Sequence, residues 1–113
     1  MNHAVINIEA ALENLGGDRA LLHELAEMML PDLDGYRHSL QTSLSQGDLT
    51  TAYQQAHSLK GAVSNFVAEP LRQAALELEL AGKHGEMDAA QAALPKVLDA
   101  MDAFEAALRD LVS

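Results

Sequence analysis

His57, Lys60 and Gly61 stand at i, i+3 and i+4 in the stretch AHSLKGAVSNF, Ala56 to Phe66. On a helix that spacing makes them neighbours on one surface. A neutral imidazole is a nucleophile, and Lys60 one turn away disfavours the imidazolium and can hold an anion. Glycine inside a helix costs roughly 0.5–1 kcal/mol relative to alanine. Gly61 therefore needs a reason, and clearance for another surface approaching the ring supplies one. The three residues describe an exposed nucleophile beside an anion-binding cation on a cleared patch. The plainer alternative is an ordinary surface histidine.

The elements that must hold this trio are legible as apolar stripes. Leu49, Ala52, Ala56, Leu59, Val63 and Phe66 step by three and four, a narrow seam suited to bundle packing. With these inward, His57 and Ser64 share an outward position, Tyr53 and Lys60 flank the seam, and Gln54 and Gly61 lie outside. A short helix over Asn7 to Asn14 stops at Gly16-Gly17, and Asp18 is an N-cap for the next. There Leu22, Leu25, Met29, Leu33, Tyr36, Leu40 and Leu44 keep one phase past Pro31, so one long kinked helix is expected. Gly47-Asp48 supplies a stop and a cap. Pro70 suits the first turn of a fourth helix, with Leu71, Ala75 and Leu78 inward up to Gly82. The last helix starts near Met87 and carries Ala90, Leu94, Val97, Met101, Phe104, Leu108 and Leu111, with Pro95 tolerated. Short loops between long amphipathic helices imply antiparallel neighbours.

Composition bounds the function classes. The 113 residues suffice for one domain with its own core, and only 4% are aromatic, which favours helices over a sheet. No cysteine is present, so disulfides, thiolate nucleophiles and thiolate metal sites are excluded. Seventeen acidic side chains against seven basic ones give a formal charge of −10, which makes nucleic acid and anionic lipid poor partners. No apolar run approaches the roughly 18 residues that span a bilayer, and MNHAVINIEA does not resemble a secretory signal. A soluble, cytoplasmic protein is expected, and a starting methionine favours a freestanding one.

The segment AHSLKG, Ala56 to Gly61, resembles the HxLKG core motif of histidine phosphotransfer (HPt) domains. LGGDRALLHEL (Leu15 to Leu25) is similar to the entry into that family's second helix, and QGD (Gln46 to Asp48) to the turn before its phosphoacceptor helix. LELE (Leu76 to Glu79) is similar to the part of the fourth helix that packs beside it. The resemblance covers nearly the whole chain, 1–113. It implies an all-α fold, an antiparallel up-and-down four-helix bundle with a short additional N-terminal helix. It further implies that His57 is reversibly phosphorylated by a receiver-domain aspartate and passes the group to another receiver. Lys60 would then neutralise phosphoryl charge and Gly61 would permit close docking, with Gln54 and Ser64 on the same docking surface. Glu79 would orient the ring, the alternative being a solvated glutamate. Where the family usually has glycine stands Val67, and valine resists positive φ, so a different turn geometry is expected there.

Phosphoryl transfer asks for in-line positioning and charge neutralisation more than covalent help from the protein. No Gly-rich phosphate loop is present, so no autokinase activity, ATP site or cofactor is expected; the divalent metal would belong to the partner receiver. Expected partners are response-regulator receivers and a hybrid histidine kinase, with the chain itself a monomer. Two alternatives belong to other classes. The bundle could bind a partner helix as an interaction module or inhibitor, with His57 idle. His23 and Glu27, spaced i, i+4, could bind a metal, although no second pair completes a site.

Overall fold

The computed structural model describes residues 5–113, so the starting methionine and the first part of the amino-terminal segment lie outside the described residues. Five α-helices follow one another: α1 Ile8–Asn14, α2 Arg19–Ser45, α3 Leu49–Val63, α4 Glu69–Lys83 and α5 Met87–Val112. A 3₁₀ turn, Ser64–Phe66, extends α3, and no strand occurs among the described residues.

Four of the five helices begin at a side-chain cap or a proline. Asn7, Asp18 and Asp48 each accept a backbone N–H from three residues on, which satisfies a donor the first turn leaves free. Pro70 occupies the first turn of α4, where its missing N–H is no loss. Helix α2 runs unbroken through Pro31, and α5 through Pro95. Both prolines face solvent, as do Glu27 and Gln91 four residues earlier, so water can serve the carbonyls that lose a partner. The fourth helix does not stop at Gly82. It continues to Lys83, and the left-handed residue that ends it is Gly85, with φ 71°.

Helix α3 packs between α2 and α4, and α5 closes the ring by packing on both α4 and α2. Contacts of His57 with Glu79 and of Tyr53 with Gly82 show α3 and α4 antiparallel. Contacts of His23 with Val112 and of Arg37 with Glu105 show the same for α2 and α5. The result is the up-and-down bundle, 42 × 21 × 21 Å. The expected stripes form its core, with Leu33, Leu40, Leu59, Leu78, Met101 and Leu108 fully buried. Phe66 and Phe104 meet edge to face, 5.5 Å between centroids, at one end. Helix α1 covers that end, its Asn7 N–H donating to the Val67 carbonyl. In α5 the buried stripe includes Ala93, and Leu94 is only half-buried.

Val67 departs from expectation. It adopts the left-handed region, φ 50°, ψ 51°, so the turn keeps the geometry for which glycine is favoured. Tertiary contacts hold it there. Its N–H donates to the Ser64 carbonyl, its own carbonyl takes the Asn7 N–H, and its side chain packs against the core.

Candidate functional site

Asp48 starts the helix that presents the trio. Its Oδ1 accepts the Thr51 N–H at 3.0 Å and its Oδ2 the Thr51 hydroxyl at 2.6 Å. Those hydrogen bonds hold the Asp48 carboxyl below its usual value. With Ala52, Ala56, Leu59 and Val63 buried, His57 must project from the opposite side, and its side chain is 65% exposed. Tyr36 on α2 bonds Ser58, the next residue, through its hydroxyl at 2.9 Å and ties α3 to α2 at that level.

Glu79 of α4 lies on the far side of the ring. Its side chain is only 9% exposed, and its Oε2 stands 2.6 Å from His57 Nδ1. Lys60 Nζ stands 2.7 Å from the other oxygen, Oε1, in an ion pair. A solvated glutamate is thereby excluded; one buried carboxylate holds both the histidine and the lysine. Burial pushes the Glu79 carboxyl up, but Lys60 and His57 together outweigh it and hold it below its ordinary value. It is therefore an anion at neutral pH, and an anion on Nδ1 requires that nitrogen to carry the proton. In the neutral ring Nε2 is then the lone-pair nitrogen, on a side chain that is largely exposed.

Lys60 lies beside the site in an ion pair with Glu79. Its charge is not free beside the ring, because Glu79 neutralises it, and its side chain is three-quarters buried. At Gly61 a Cβ would meet nothing within 4 Å, so no packing within the chain demands a glycine. Gln54 is exposed one turn before His57. Ser64 is exposed two turns beyond, and its hydroxyl donates to the Gly61 carbonyl at 2.6 Å. The arrangement brings His57, Lys60 and Glu79 together and leaves Gln54 and Ser64 as surface neighbours. His23 has protein partners on both ring nitrogens, Glu27 at 3.2 Å and the Val112 carbonyl at 3.2 Å.

Two features of the site escape pattern reading. Gly82 and Tyr53 are in backbone-close contact beside it, and their only signal is the helix-interior glycine. An ion-pair network links Arg37 to Asp34, Asp102 and Glu105 across α2 and α5; only its members at i, i+3 and i, i+4 are visible in the sequence.

An exposed imidazole with one nitrogen fixed and the other free can accept and release an electrophilic group at Nε2. The fold matches the crystal structure of the HPT domain from the Hpt sensor hybrid histidine kinase from Shewanella, with a TM-score of 0.85. The match covers 95% of this chain and 92% of that one at 23% sequence identity. No curated protein matches the chain. The model of the Hpt domain family matches residues 24–107, which contain the whole of α3 and α4. That match, over most of the chain and on this bundle, places the chain in the Hpt domain family, the histidine phosphotransfer proteins of two-component phosphorelays.

Proposed function

We propose that His57 is the phosphoacceptor, taking a phosphoryl group on Nε2 from a receiver-domain aspartate and passing it to a second receiver. The observation that carries this is the grip of buried Glu79 on Nδ1 of an otherwise exposed ring. The Nε2 lone pair attacks phosphorus as the bond to the aspartate oxygen breaks and the carboxylate departs. Nδ1 keeps its proton, and the positive charge that develops on the ring faces the Glu79 anion. In the second transfer the same steps run in reverse, with the new aspartate as nucleophile.

Lys60 rests on Glu79 within reach of the same ring, and an arriving phosphoryl gives its ammonium a second anion to balance. Gly61 leaves room for the receiver, and Gln54 and Ser64 border the same surface. By this reading the chain has no cofactor, uses no ATP, and meets a divalent metal only on the receiver. Its partners are receiver domains and a hybrid histidine kinase. A charge of −10 argues against nucleic acid. The apolar stripes are consumed by the bundle's own core, which supports a monomer. No described helix is long and apolar enough to cross a membrane, which is compatible with a cytoplasmic site of action.

The test is transfer of label from a phosphorylated receiver to the wild-type chain and to His57→Gln. Label on the wild type should be acid-labile, as a P–N bond is, and absent from the variant. Equal labelling of the variant would remove His57 from the reaction. A receiver that binds without transferring label would favour the interaction-module alternative.

A further inference from the structure

Gly82 lies inside α4, one turn after Glu79, and faces Tyr53 of α3, one turn before His57. Because the two helices are antiparallel, this contact sits directly beside the grip of Glu79 on the imidazole. A Cβ at position 82 would lie 3.0 Å from Tyr53 Cβ, 3.3 Å from Tyr53 Cα and 3.3 Å from the Leu49 carbonyl oxygen. Two of those three atoms are backbone, so no side-chain rotation could relieve the crowding, and the helices would have to separate. The other helix-interior glycines differ, since a Cβ at Gly35 or Gly61 would meet nothing within 4 Å. Tyr53 continues past the notch towards the site, its ring centroid 6.5 Å from that of His57.

A glutamate side chain is short, and the bond at stake is 2.6 Å long. We propose that Gly82 is a positioning residue for the phosphoacceptor: by admitting Tyr53 Cβ it sets the α3–α4 spacing that lets Glu79 fix the proton on His57 Nδ1. The inference rests on the proposed role of His57 but can be tested without transfer.

The readout is the nitrogen-detected NMR spectrum of the His57 imidazole, which distinguishes a proton on Nδ1 from one on Nε2. The groups at that ring are Glu79 and Tyr53, and Lys60 pairs with the other oxygen of Glu79. The wild type should show the Nδ1–H form, and Glu79→Ala should lose that preference. Gly82→Ala should shift His57 towards the Glu79→Ala spectrum, the double variant adding nothing further, while Gly35→Ala keeps the wild-type spectrum. Transfer to Gly82→Ala should fall several-fold, because displacing a reactive group by even about 1 Å can cost on the order of a hundredfold. A wild-type His57 spectrum in Gly82→Ala overturns the proposal. Should that variant not fold, Tyr53→Ala still decides: its Cβ stays in the notch, so the Nδ1–H form must survive. Its loss there would assign the positioning to the tyrosine ring and overturn the role of Gly82. Absence of label on the wild type would instead count against His57 as phosphoacceptor, and the spectra would stand apart from that result.

Discussion

Glu79 is the residue on which the site turns, because one buried carboxylate holds both the Lys60 ammonium and Nδ1 of His57. Its depressed pKa links the site to stability. A carboxyl whose folded value lies below its unfolded one contributes stability that is fully present above the unfolded value. That contribution is lost as pH falls through the folded one. The ordinary value is 4.5, so the loss belongs to the acid side of it. Glu79→Gln should be less stable than the wild type at neutral pH, and the gap should close below about pH 4.5 in urea unfolding. A gap independent of pH would mean that the charge on Glu79 contributes nothing. Gly61 gives a second test at this scale, with opposite signs for stability and function. Since the space at its Cα is open, Gly61→Gln should raise unfolding stability by roughly 0.5–1 kcal/mol through helix propensity. The same side chain projects into the surface where a receiver would dock, so single-turnover transfer should slow. A variant both more stable and equally fast would leave the glycine without a docking role.

At the scale of the element, the turn between α3 and α4 shows how tertiary contacts override a local preference. Valine in the left-handed region costs roughly 1–2 kcal/mol, yet Val67 is held there by hydrogen bonds from both sides and by its contact with the core. Truncating it should reveal the strain. Val67→Ala loses packing and keeps the strained backbone, whereas Val67→Gly loses slightly more packing and relieves it. The glycine variant should therefore be the more stable of the two by about 1 kcal/mol, the reverse of their order inside a helix. Thermal or urea unfolding of the pair checks this, and alanine above glycine would show that the strain is not stored. The end of α4 carries a related lesson. A glycine within a helix can be a contact rather than a stop, as Gly82 is, and the stop falls at Gly85, where positive φ is required.

Over the whole molecule, the bundle separates its stabilising network from its chemistry. Arg37 joins α2 to α5, the helix pair on the side of the bundle opposite the α3–α4 seam that holds His57 and Glu79. Its partners are unequal. Glu105 is mostly buried and 2.6 Å away, while Asp34 and Asp102 are 89% and 70% exposed. Glu105 is also held below its ordinary value by Arg109 and Arg37. Glu105→Ala should thus cost about 1–3 kcal/mol, as loss of a hydrogen bond between charged groups does. Asp34→Ala and Asp102→Ala should each stay within about 0.5 kcal/mol. Unfolding midpoints separate these cases, and transfer by all three variants should match the wild type once folded. Slower transfer in folded Glu105→Ala would show that the two sides of the bundle are coupled.

The helices, the Asp18 and Asp48 caps and the exposure of His57 were legible in the sequence because each depends on short-range chemistry. A 3.6-residue period, an Asp before an apolar run and a proline in a first turn act within a few residues of themselves. The bundle followed from those stripes and the short loops between them. The sequence could not decide which groups meet across helices. Glu79 looked as fit for solvent as for the ring, and Lys60 looked free, because their meeting depends on how closely α4 approaches α3. That distance depends on a missing Cβ at Gly82, and a glycine in a helical run carries no sign of which neighbour it admits. Val67 fails the local rule for the same reason: the contacts that hold its backbone come from Asn7, sixty residues earlier in the chain, and only the folded bundle brings the two together.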